Sequence, residues 1–158
     1  MSAAVIAEGR AVLGIELGST RIKACLIDPA DGAVVAVGAH EWQNELVDGY
    51  WSYSLEAVRA GLRAAHAALA ADAAARHGAA PARLAAIGVS AMMHGYLAFD
   101  EAGELLVPFR TWRNTTTGSA AAALTELFGT AIPQRWSIAH LHQAVLDDEP
   151  HVGRVHHL

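Results

Sequence analysis

The sequence predicts an α/β fold: a three-stranded antiparallel meander, then a helix, then a strand parallel to its neighbour. Three observations predict it. Short apolar runs near the N-terminus are separated by tight turns, and links that short join antiparallel strands. A long stretch follows with apolar residues at spacings of three and four, the period of an amphipathic helix. A continuous apolar run then returns between turn residues, and a strand reached through a helix lies parallel to its partner.

Residues 1–8 read as a frayed lead-in. The first strand, 11–17, is apolar apart from Glu16, and the second, 21–28, is β-branched or aliphatic until Asp28-Pro29. Gly18-Ser19-Thr20 joins them with turn chemistry: glycine permits positive φ, and the two hydroxyls can bond locally. Pro29-Ala30-Asp31-Gly32 supplies an Asp-Gly turn, and 33–41 is the third strand. Residues 42–53 carry Trp42, Tyr50, Trp51 and Tyr53 and read as an irregular segment with a turn at Asp48-Gly49, pinned to the domain by its rings. Ser54 suits an N-cap, and Glu56 complements the helix dipole. Leu55, Val58, Leu62, Ala65, Leu69 and Ala73 form the inward stripe. Arg76-His77 close the helix, Gly78 is its C′ residue and Pro81 blocks continuation. His66 and His77 read as solvated. The run 84–90 reads as a buried central strand.

Residues 96–99 and 104–107 form a short hairpin about Asp100-Glu101-Ala102-Gly103. Residues 115–119 open a helix with Leu124, Leu127 and Phe128 on its apolar side, ended by Gly129. Ile132-Pro133 turns the chain, and Ser137 caps a last helix with Ile138, Leu141 and Val145 inward. His140, His142, His151, His156 and His157 invite a zinc reading. On a helix, however, His140 and His142 point about 200° apart, and there is no Glu-x-x-His or cysteine partner. The single Cys25 cannot form an internal disulfide, and on an apolar strand it reads as a buried, inert thiol suited to the cytoplasm.

The 158 residues suit one domain on the usual length prior, and the 53% apolar fraction is ample for a core, although alanine inflates it. A formal charge of −5 and the lack of a basic patch argue against nucleic acid as a partner. No apolar run reaches the length of a membrane span, and no basic n-region precedes the first apolar residues. A soluble, acidic, cytoplasmic protein is the plain expectation.

The first turn carries the most chemistry. Backbone N–H groups pointing into a turn make an anion-binding nest, and Ser19 and Thr20 add hydroxyl donors. Glu16, just before them, can hold a hydrated divalent cation beside a phosphate. The plainer reading is an ordinary hairpin with one awkward acid. Gly-Lys-Ser/Thr is absent, so this is not a P-loop. Gly14 and Gly18 lack the dinucleotide spacing, and a strand rather than a helix follows. Gly14-Ile15-Glu16-Leu17-Gly18-Ser19-Thr20-Arg21-Ile22-Lys23 resembles the first phosphate loop of the actin-like ATPases, and most closely that of the FGGY carbohydrate kinases. Glu16 stands where aspartate is usual, one methylene longer. Two later segments resemble the family in the right order. Met93-His94-Gly95 is similar to the Met-His-Gly of xylulose-kinase-like members, and the chain as a whole is xylulose- or ribulose-kinase-like. Pro108-Phe109-Arg110-Thr111-Trp112-Arg113-Asn114 is similar to the tryptophan segment on the second side of the sugar site.

The resemblance runs from residue 11 to about 149. It implies a ribonuclease-H-like (actin-like ATPase) lobe with an inserted hairpin, here incomplete. Residues 1–158 would be a partial N-terminal, sugar-binding domain without the C-terminal nucleotide lobe. It further implies ATP-dependent phosphorylation of a sugar hydroxyl, of a ketopentose in particular, with ATP and magnesium as cofactors. Glu16 would hold hydrated magnesium, and Gly18, Ser19, Thr20 and Lys23 would serve the phosphates. Met93, His94, Gly95, Trp112, Arg113 and Asn114 would hold the sugar, and the aromatic segment 42–53 would wall it. Read without the family, Arg110 and Arg113 make surface ion pairs worth little. The family's aspartate base would lie beyond Leu158; Asp100, Asp147, Asp148 and Glu149 fall in turns or at a helix end and match no catalytic position. The chain alone is therefore expected to be inactive. Two other readings stay open. One is a non-catalytic, truncated module that binds sugar weakly or pairs with another protein, or with itself as a homodimer through an exposed core edge. The other is an actin-like ATPase without a sugar substrate, which gives Met93-His94-Gly95 no role.

Overall fold

The computed structural model describes residues 2–158. In chain order the elements are α1 (Ser2–Ala7), β1 (Val12–Leu17), β2 (Arg21–Ile27), β3 (Val34–Glu41), β4 (Glu45–Val47), β5 (Tyr50–Ser52), α2 (Leu55–His77), β6 (Ala86–Ala91), β7 (Gly95–Tyr96), β8 (Arg110–Thr111), α3 (Gly118–Phe128), α4 (Ser137–Leu146) and a 3₁₀ turn, Val152–Arg154. The chain divides into two units. The first comprises Met1–Gln43 and Leu55–Met92, the second Asn44–Ser54 and Met93–Leu158.

The first unit is the expected meander, helix and parallel strand. β1 pairs antiparallel with β2, which sets Glu16 opposite Lys23 and Leu17 opposite Ile22. β2 pairs antiparallel with β3, and β6 lies parallel to β1, giving the order β3-β2-β1-β6. Alternation along the strands buries Leu13, Ile22, Ala24 and Leu26. α2 packs on β3 and β2 through Ala65, Leu69 and Ala73. The approach is close because Gly38 has no side chain: a Cβ there would collide with the Ala65 carbonyl oxygen and the Leu69 nitrogen. Leu55, Val58 and Leu62, read as part of the same stripe, are only half-buried.

Four expectations are corrected in this unit. Residues 2–7 are helical and not frayed, because Val5 and Ile6 are buried and anchor the turn; Met1 lies outside the described residues. The run read as a buried central strand is β6, an edge strand exposed at every position, with Ile87 59% and Val89 66% accessible. Apolar continuity told its strand character but not its place in the sheet, since α2 covers the other end. Cys25 is half-buried; the alternation that takes Ala24 and Leu26 inward turns Cys25 toward an open groove with Gly14, Glu16, Lys23, Gly88 and Ser90. His77 is half-buried, and its Nε2 lies 2.9 Å from the Val35 carbonyl oxygen.

In the second unit, the segment read as irregular is a hairpin. β4 pairs with β5, and Asp48 and Gly49 both take positive φ, as a two-residue primed turn requires. β7 pairs with β8. The expected hairpin about Asp100 is reduced to a bridge between Phe99 and Leu105, closed by the Asp100 carboxylate accepting from the Ala102 and Glu104 amides. α3 and α4 meet over Ala121, Leu124, Ile132 and Ala139. α3 buries the expected Leu124 but not its other large apolar residues, and α4 presents a different face from the one expected. Leu127 and Phe128 of α3 are exposed, as are Ile138 and Val145 of α4, while Leu141 is half-buried. The buried positions of α4 are Ala139, His140 and Ala144, because small residues admit close helix approach and His140 stacks on the buried ring of Tyr96.

Candidate functional site

The phosphate-turn candidates lie in the first unit. The Gly18 amide donates to the Arg21 carbonyl at 3.0 Å and closes the β1–β2 turn, so it is not the free nest donor expected. A Cβ on Gly18 would lie 2.9 Å from that carbonyl and 3.6 Å from Glu16 Oε1, so glycine lets the carboxylate and the turn come together. Trp42 clamps the turn from β3's end: its indole Nε1 donates to the Gly18 carbonyl at 2.8 Å, and its amide donates to the Thr20 carbonyl at 3.1 Å. Glu16 and Lys23, placed opposite by the register, form a half-exposed ion pair at 3.0 Å. The result is a rigid turn edged by one carboxylate and one ammonium, open to solvent.

The sugar candidates all belong to the second unit. Met93 is 73% exposed. His94 and Gly95 have φ of +74° and +137°, and left-handed backbone at a histidine is uncommon. At position 95 glycine itself is required: a Cβ would lie 2.6 Å from the Phe109 ring and 2.9 Å from the Arg110 carbonyl oxygen. Three contacts hold this bend. Gly95 pairs with Thr111 across β7–β8, Ser137 Oγ donates to the Gly95 carbonyl at 2.7 Å, and the His94 imidazole stacks on Trp136. Ser137 therefore does not cap its helix through its side chain, as the sequence suggested; Trp136 takes the N-cap position.

On the second segment, Trp112 is exposed. The Arg113 guanidinium lies 4.0 Å over the Trp51 ring and donates to Asn44 Oδ1 at 2.8 Å. Asn114 is buried, with its carboxamide fully engaged by backbone. Its Oδ1 accepts from the Trp51 amide at 2.8 Å, and its Nδ2 donates to the Trp51 and Thr111 carbonyls at 2.9 Å each. Arg110 is not the weak surface pair considered from sequence. It is buried, makes a two-pronged pair with Glu149, and lies 4.1 Å over the Tyr50 ring. Burial opposes its charge, but the Glu149 hydrogen bond and charge outweigh that and raise its pKa. The Arg110 hydrogen bond likewise holds Glu149 below the ordinary carboxylate range. His151 Nδ1 sits 3.5 Å from Glu149, and its Nε2 lies 2.8 Å from the Tyr96 hydroxyl. Burial first, and the Arg110 charge second, push His140 down to about 4, so it is neutral at pH 7.

Sequence reasoning missed Asn44, Trp136 and Glu149 as parts of this arrangement. Trp51 was reached, as one ring of the aromatic segment 42–53; the others act across long separations. Among the described residues, no group of three or more His, Cys, Asp or Glu side chains converges as a metal cluster. No helix of the described residues is long and apolar enough to cross a membrane.

Comparison with known proteins bears on the whole chain. The model of the FGGY family of carbohydrate kinases, N-terminal domain, matches residues 11–138. No curated protein sequence matches. Among solved structures, a xylulose kinase from Brucella ovis superposes with a TM-score of 0.78 at 24% identity, covering 92% of this chain and 31% of its own. A xylulose kinase from Rhodospirillum rubrum gives 0.76 at 23% identity, with the same coverage. A gluconate kinase from Lactobacillus acidophilus gives 0.69 at 18%, covering 92% and 30%. These likenesses show a shared fold. The chain spans about a third of the length of the structures it matches.

Proposed function

Because the chain belongs to the FGGY family of carbohydrate kinases, through its N-terminal domain, we propose that it forms part of an ATP-dependent enzyme that phosphorylates a hydroxyl of a ketopentose. The observation that carries this reading is the bend Met93-His94-Gly95, exposed at Met93 and fixed in left-handed backbone by contacts from two elements. Strain of this kind persists where surroundings over-determine it, and it concentrates at ligand sites. His94 gives a hydrogen bond to a sugar hydroxyl or carbonyl, and Gly95 lets the backbone approach. Trp112 offers an exposed ring to the C–H face of the sugar, and Arg113, fixed on Trp51, offers donors to its hydroxyls. Asn114 acts by holding Trp51, and through it Arg113, since its own amide is bonded to backbone. Xylulose kinases among the structural neighbours favour a ketopentose.

The residues of the first turn fit magnesium and phosphate. Magnesium keeps much of its water and asks the protein for one or two carboxylates while phosphates supply the rest, and Glu16 is one half-exposed carboxylate beside a side-chain-free Gly18. Lys23 adds positive charge for phosphate oxygens, and Ser19 and Thr20 add hydroxyls. Magnesium, when bound, neutralises charge on the transferring phosphates. The base that takes the sugar proton comes, in this proposal, from outside these 158 residues: Glu149 is tied to Arg110, and Asp100 closes its own turn.

Calorimetric titration of the purified chain with ketopentoses tests the sugar reading. Binding is expected, weakened at least tenfold in His94→Ala. No binding to the folded chain, or binding that ignores this substitution, overturns it. A second reading, a non-catalytic module that pairs with a copy of itself, is favoured by the bare β6 edge. A chain that stays monomeric in light scattering at every concentration would sink that reading.

A further inference from the structure

We propose that Trp136 is a positioning residue of the sugar site, acting through His94. The inference rests on the sugar-binding reading above and goes beyond it by adding a residue outside every motif that pointed to the site. Without a neighbour, an imidazole on a half-buried bend has several rotamers open to it, and a hydrogen bond to a ligand is only as strong as its donor's orientation is fixed. The structure supplies the fixing group. The rings of His94 and Trp136 lie 6.1 Å apart at 21°, a near-parallel stack. Trp136 is itself anchored through its backbone. Its amide donates to the Pro133 carbonyl at 3.1 Å, and its own carbonyl accepts from the amides of Ala139 and His140 in the first turn of α4, at 3.0 and 3.2 Å. The next residue, Ser137, holds the Gly95 carbonyl at 2.7 Å. Two consecutive residues at the start of α4 thus grip two consecutive residues of the strained bend, one by its ring and one by its backbone. At 37% exposure, Trp136 is not needed to fill the core, whose α3–α4 seam is made by Ala121, Leu124, Ile132 and Ala139. A ring half in solvent, stacked on the one histidine of the bend, is better accounted for by orientation than by packing.

A double-mutant cycle read by calorimetry separates the two. D-xylulose and D-ribulose, with their L-enantiomers, are titrated into the wild-type chain, Trp136→Leu, His94→Ala and the double variant. Trp136→Leu is expected to weaken binding about three- to tenfold, the scale of ordering one side chain at an interface. Trp136→Phe, which keeps a stacking ring, should restore binding to within about twofold of wild type. In the His94→Ala background, Trp136→Leu should have no further effect. Equal losses in both backgrounds, or no loss in either, overturn the proposal. Should Trp136→Leu not fold, Ser137→Ala, which removes only the bond to Gly95, must show the same dependence on His94. A folded wild-type chain that binds none of the sugars would defeat the sugar reading itself, and that result is visible before any variant is compared.

Discussion

At the scale of single residues, the second unit holds one buried charge, Arg110, with its partner Glu149. Arg110 and Glu149 are both sheltered and paired two-pronged, so removing one partner strands the other's charge away from water. Glu149→Ala should therefore lower stability by about 3–5 kcal/mol in urea denaturation, whereas replacing both partners with apolar residues should cost much less. A loss under about 1 kcal/mol in the single variant would mean that the pair is solvated in practice. His140 makes a different, pH-dependent prediction. Facing it are Arg110, Glu149 and the ring of Tyr96. Its folded pKa of about 4 lies below the ordinary 6.5, so between those values the unfolded chain binds a proton that the folded chain refuses. The stabilisation is thus complete above about pH 6.5 and declines as pH falls toward 4, by about 3 kcal/mol in all. His151, lowered chiefly by burial, acts with the same sign. Glu149, also lowered, adds its loss only as pH falls below its ordinary 4.5 toward its folded value. His140→Phe should flatten the slope of stability between pH 4 and 6.5; an unchanged slope would show that His140 takes up its proton in the folded state as readily as in the unfolded.

At the scale of elements, α2 lies as close to β3 as backbone allows, and Gly38→Ala puts a methyl against the Ala65 carbonyl and the Leu69 amide nitrogen. Neither atom belongs to a side chain that can swing away, so the helix itself must shift. A destabilisation of about 1–3 kcal/mol or more is expected in thermal or urea unfolding, and a neutral result would mean that α2 slides freely on the sheet. Such register was not legible in the sequence, although the elements were. Local signals sufficed for β1, β2, β3 and α2, because turn residues and apolar period act within a few positions. They failed for β6, whose apolar run is the same whether a strand is central or at an edge. They failed for α4, where alanine and a buried histidine, not the larger Ile138 and Val145, face inward. The candidate residues divide in the same way. Glu16 and Gly18 in the first unit, and His94 and Trp112 in the second, stood out as local motifs. Trp136 and Asn44 touch the candidate residues His94 and Arg113 only through contacts some forty and seventy positions apart, which no window of sequence contains.

At the scale of the whole molecule, the issue is how much of a phosphoryl transfer 158 residues can perform. The chain corresponds to about a third of each kinase structure it superposes on. Its described carboxylates are already accounted for as structural groups in three cases: Glu149 on Arg110, Asp100 across its turn, and Asp72 on the Val37 amide of the sheet. Glu16 sits beside Lys23, where it suits a cation rather than a sugar proton. Loss of a general base alone typically lowers a rate by about 10²–10⁴, before any loss of nucleotide positioning is counted. The purified chain, given ATP, magnesium and a ketopentose, should therefore form no sugar phosphate above the level of Glu16→Ala, even where calorimetry shows that sugar binds. The two measurements belong together. Binding without turnover is what a sugar-binding portion of a kinase should give. Turnover that depends on Glu16 would place a working base within these residues and overturn the division of labour proposed for them.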